Sequence, residues 1–130
     1  MDRGDLVEAV ARAIVDASKE TGQSQALEAI PQIVKELEER SLLKPGELQA
    51  VRGIIEALKG RWKSTFAQKL ISAVREGRNL DEIKTRLLGW SKDLTDLSNH
   101  EEEFLSLWID VIDAIKSMLA EEGLPSPSNQ

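Results

Sequence analysis

The chain has 130 residues, one domain's worth and long enough for a single hydrophobic core. Hydrophobic residues make up 41% and charged residues 31%, with a formal net charge of -6, a globular balance whose total argues against a general polyanion binder. There is no Cys and one His, which excludes disulfides, Cys-based zinc sites, iron–sulfur ligation and thiol nucleophiles.

Helical periodicity runs through every ordered segment, and no stretch alternates with period two. Arg3-Gly4-Asp5 spells an adhesion tripeptide, read here as a chance occurrence in an unstructured start. Asp5 followed by Glu8 reads as a capping box opening the first helix. Its apolar stripe is Leu6, Val7, Val10, Ala11, Ile14 and Val15, and Gly22 ends it. Ser24 can cap a second segment with Leu27, Ile30, Ile33, Val34 and Leu37 on one face. Pro31 lies inside that segment and predicts a kink or break, because proline lacks the N–H and crowds the preceding turn. Lys44-Pro45-Gly46-Glu47 restarts a helix with Leu48, Val51, Ile54, Ile55 and Leu58, closed by Gly60. Ser64 or Thr65 can cap a fourth helix that buries Phe66, Leu70, Ile71 and Val74 and stops at Gly77.

Asn79 and Glu82 can open a fifth helix carrying Leu80, Ile83, Leu87, Leu88, Leu94 and Leu97, with Trp90 near that face and Gly89 inside it. Ser98 or Asn99 can cap the last helix, whose first turn holds Glu101, Glu102 and Glu103, where the helix dipole favours negative charge. Phe104, Leu107, Trp108, Val111, Ile112, Ile115, Met118 and Leu119 form its broad apolar face, and Gly123 ends it. The expected architecture is all-α, a compact bundle of five to six short antiparallel helices. It spans residues 1–123 as one domain, with residues 124–130 as a disordered tail.

Chemistry is sparse. His100 falls near a helix start, and position 97 is Leu, so the Glu-x-x-His pair of bundle metal sites is missing. The glycines are spaced as helix punctuation rather than as a phosphate-cradling loop. The expectation is a protein that is not an enzyme, with no cofactor, no metal and no membrane segment, in the cytoplasm.

Charge is unevenly placed along the chain. Residues 44–92 hold 11 Lys and Arg against 5 Asp and Glu, while residues 93–130 hold 1 against 9. The candidate nucleic-acid-binding residues are Arg52, Lys59, Arg61, Trp62, Lys63, Lys69, Arg75, Arg78, Lys84 and Arg86. Several sit where helices end, a position the helix dipole also favours for cations. Arg61-Trp62-Lys63 places an aromatic between two cations, a combination suited to stacking on an unpaired base beside a phosphate. Trp62 packed on the core with solvated neighbours is the other reading. Partners are expected to be other protein subunits or further copies of the chain, with RNA or single-stranded DNA along the basic segment. A chain basic in its middle and acidic at its ends also suits head-to-tail association.

The stretch Leu42-Leu43-Lys44-Pro45-Gly46-Glu47-Leu48-Gln49-Ala50-Val51-Arg52 resembles the loop-then-helix start of the small helical subunits of CRISPR effector complexes. That resemblance covers residues 42–122 by architecture. It implies a non-enzymatic subunit that lies along the complex backbone and touches guide or target strand through basic side chains. Val10-Ala11-Arg12-Ala13-Ile14, Ile33-Val34-Lys35-Glu36-Leu37 and Ile54-Ile55-Glu56-Ala57-Leu58 are similar in rhythm to the N-terminal domain of the ATP synthase delta subunit. That second resemblance implies a protein-only adaptor.

Overall fold

The computed structural model describes residues 2–19, 25–60, 63–77 and 101–121. They form five helices: α1 (Arg3–Ser18), α2 (Gln25–Glu39), α3 (Pro45–Lys59), α4 (Lys63–Arg75) and α5 (Glu101–Glu121). No strand occurs among the described residues, and the chain is an all-α bundle. The expected helix over residues 79–97, its Trp90, His100 and the tail from residue 124 lie outside the described residues.

Helix α1 is the hub, packing on α2, α3, α4 and α5. A helix touched by four others must be apolar around more than half its circumference. Leu6, Val7, Val10, Ala11, Ala13, Ile14 and Val15 supply that arc, and all are buried. The two alanines leave room for neighbouring backbones. Helix α2 packs chiefly on α1, so a narrow stripe of Ile30, Ile33 and Leu37 suffices. Helix α5 lies on α3, α1 and α4 and buries Phe104, Leu107, Trp108, Val111, Ile112, Ile115, Met118 and Leu119, the face its periodicity announces. Buried residues of all five helices join in one core. Phe66, half-buried on α4, meets Trp108 edge to face, with ring centroids 6.4 Å apart and planes at 68°.

Several ends fall where the sequence places them. Pro45 occupies the first turn of α3, where its missing N–H costs nothing, and Gly60 is its C-cap. Gly77 follows α4 at φ +69°, with its N–H donated to the Val74 carbonyl at 3.1 Å. At the end of α2, Ser41 takes the same left-handed conformation at φ 56° without being glycine. Its N–H reaches the Glu38 carbonyl at 3.1 Å and that of Leu42 reaches the Leu37 carbonyl at 2.9 Å, the paired bonds of a Schellman turn.

Three local readings are corrected. Helix α1 opens at Arg3, because the capping box is built from Asp2 and Asp5 rather than Asp5 and Glu8. Asp2 Oδ1 accepts from the Asp5 N–H at 3.1 Å, and Asp5 Oδ2 accepts from the Asp2 N–H at 2.8 Å. Arg3-Gly4-Asp5 is therefore helical, not an unstructured start. The break expected at Pro31 does not occur: α2 is continuous from Gln25 to Glu39, with Ile30, Ile33 and Leu37 buried and Pro31 facing solvent. Helix α4 begins at Lys63, which places Ser64 and Thr65 inside its first turn rather than at its cap.

Candidate nucleic-acid interface

The basic segment is carried by α3 and α4. Arg52 and Lys59 are seven residues apart on α3, two turns along one face, so they lie about 10 Å apart along the axis. Both are exposed, because the opposite face of α3 holds Ala50, Val51, Ile54 and Leu58 in the core. Lys69 and Arg75 are exposed on α4, whose inner face holds Ala67, Leu70, Ile71 and Val74. Lys63 opens α4, four residues beyond Lys59. Arg61, Trp62, Arg78, Lys84 and Arg86 lie outside the described residues, as does the side chain of Lys63.

None of Arg52, Lys59, Lys69 and Arg75 makes a hydrogen bond or ion pair with a described residue. The acidic last helix does not neutralise them. It spends one carboxylate on α1: Arg3 donates from Nη1 to Asp110 Oδ2, and from Nε to Glu47 Oε2 on α3. The three side chains are unequally wet, at 31% exposure for Arg3, 42% for Asp110 and 6% for Glu47. Glu47 is the one charged residue buried among the described residues.

Burying that carboxylate costs free energy unless its oxygens are satisfied. The Arg3 guanidinium takes Oε2, and Oε1 accepts from the backbone N–H of Lys44 at 3.0 Å, one of the free donors at the start of α3. The next free donor, the Gly46 N–H, goes to Glu103 Oε1 on α5 at 2.8 Å. Two carboxylates from different helices therefore sit on the positive end of α3, and one arginine from α1 ties Glu47 to Asp110. Desolvation works against the Arg3 charge. Its hydrogen bonds to Glu47 and Asp110, with the attraction of the same carboxylates, outweigh that and hold the guanidinium above its ordinary pKa.

This clasp between Arg3, Glu47 and Asp110 escaped the sequence reading, which had Arg3 unstructured and Glu47 as part of a helix start. Its partners are 44 and 107 residues apart in the chain, beyond any local pattern. Among the described residues no cluster of His, Cys, Asp and Glu has a metal-holding arrangement, and no helix is long and apolar enough to cross a membrane. Comparison with protein families, curated proteins and solved structures finds no match for this chain.

Proposed function

We propose that the protein is a non-enzymatic helical subunit of a larger cytoplasmic assembly, and that it contacts a nucleic-acid backbone through the basic faces of α3 and α4. One observation carries this reading. Arg52, Lys59, Lys69 and Arg75 are carried on helices, exposed, and without an acidic partner among the described residues. Cations left this way are free to replace counterions along phosphates. The net charge of -6 does not oppose it, because residues 44–92 hold 11 Lys and Arg against 5 Asp and Glu, and most of the acidic groups lie outside them.

The test is a fluorescence-anisotropy titration of labelled single-stranded RNA and DNA across a salt series. Each phosphate contact to a single strand lowers the log–log salt slope by about 0.7, so four contacts give a slope of about -3. The quadruple variant with Arg52, Lys59, Lys69 and Arg75 changed to Glu should lose binding. Absence of wild-type binding at low salt overturns the reading. A protein-only adaptor is the second reading, and the exposure of Ile109 on α5 and of Leu42 before α3 favours it. Under that reading the same titration is flat.

A further inference from the structure

Among the described residues, the outer face of α5 is not packed against another helix. Glu102, Ser106, Ile109, Asp113, Lys116 and Ala120 recur at alternating spacings of four and three, so they form one stripe along the helix. Every member is exposed. Ile109, at the middle of the stripe, is 38% exposed, one of the two exposed large hydrophobics among the described residues. The small side chains of Ser106 and Ala120 allow a second backbone to come close. The unpaired charges of this helix are Glu101, Glu102, Asp113 and Glu121 against Lys116. On α3 and α4 they are Arg52, Lys59, Lys69 and Arg75 against Glu56. The same molecule thus presents a surplus of acid on one face and a surplus of base on others, and among the described residues no ion pair joins the two.

We propose that the outer face of α5 docks the basic α3–α4 surface of a second copy of this chain, with Ile109 as the apolar anchor inside a charged rim. The contact is heterologous, because the two surfaces differ. A face about 30 Å long, the length of 21 helical residues, and about 10 Å wide is smaller than the roughly 800 Å² per partner of a stable complex. The association is therefore weak, dependent on protein concentration and sensitive to salt. It uses the same cations as the nucleic-acid reading but does not depend on that reading.

Sedimentation velocity on the full chain tests it, over a protein-concentration series at low and high salt. The expected result is a weight-average mass that climbs above 14.5 kDa with concentration at low salt and returns to it at high salt. Two double variants decide the geometry: Glu102→Lys with Asp113→Lys, and Lys69→Glu with Arg75→Glu. Each alone should stay at the monomer mass, because like surfaces then face each other, while an equimolar mixture should associate. Ile109→Ser should weaken wild-type association. All five positions are exposed, and circular dichroism confirms that helicity is kept. A wild type that stays monomeric, either double variant associating alone like wild type, or a mixture that fails to associate overturns the proposal. Strand binding by a strict monomer refutes this inference and leaves the nucleic-acid reading standing; association without strand binding does the reverse.

Discussion

Replacing Arg3 with Ala removes the cation from a buried carboxylate, and the size of the effect follows from the exposures. Stripping the partner from a fully buried charge costs about 3–5 kcal/mol. Glu47 is nearly dry, but Arg3 is about a third exposed, so water can enter where the guanidinium stood, and Glu47 keeps its bond from the Lys44 N–H. We expect about 2 kcal/mol for Arg3→Ala, between the buried and surface limits. The pair with Asp110 is wet on both sides, so Asp110→Asn should cost no more than about 0.5–1 kcal/mol. Urea unfolding of the single and double variants gives both coupling energies by double-mutant cycle, provided the m-values agree. The Arg3–Glu47 coupling should be the larger. Because the folded guanidinium is held above its ordinary value, its contribution is fully present below that value and disappears only in strong alkali. The gap between wild type and Arg3→Ala should therefore not narrow, through Arg3, from neutral to mildly alkaline buffer. An Arg3→Ala cost below about 0.5 kcal/mol, the range of a surface pair, or a larger coupling to Asp110, refutes the reasoning.

Further outcomes are expected at the turns and in the core. Ser41→Gly should raise stability by about 0.5–1 kcal/mol, since the left-handed backbone at φ 56° strains any residue with a Cβ, and the urea midpoint reads it. Gly77→Ala should cost about 1 kcal/mol by the same measure; beyond its chain neighbours no atom of the described residues lies within 4 Å of the added Cβ, so the penalty is conformational rather than a clash. Phe104→Ala, at a fully buried site, should cost about 3–5 kcal/mol and lower the thermal midpoint at unchanged native helicity.

The core was legible in the sequence because burial on a helix imposes its own period. The apolar stripes of α1 and α5 are faces that the structure buries, as are Val51, Ile54 and Leu58 of α3, whose Leu48 and Ile55 are only half-buried; Pro45, Gly60 and Gly77 mark ends because each solves a backbone problem at its position. What escaped was non-local or degenerate. Asp2–Asp5 and Asp5–Glu8 both fit a capping box, and the structure forms the earlier one, which puts Arg3 in the helix with Glu47 and Asp110 in reach. Ser41 carries no glycine to announce a left-handed turn. Pro31 signals interruption, yet packing along α1 keeps the helix continuous. The basic residues were legible as a block along the chain; that four of them are exposed and unpaired depends on where α5 sends its carboxylates.

Glu103 has a consequence for how the molecule comes apart. The glutamate run at the start of α5 complements its own helix, yet Glu103 also closes the first turn of α3, 57 residues earlier in the chain. That turn cannot complete its cap until α5 has arrived, so the two ends should open together as one cooperative unit. The Gly46 amide is then a built-in reporter: its hydrogen-exchange protection should track the docking of α5 rather than the local fraying of α3, and should fall selectively in Glu103→Ala.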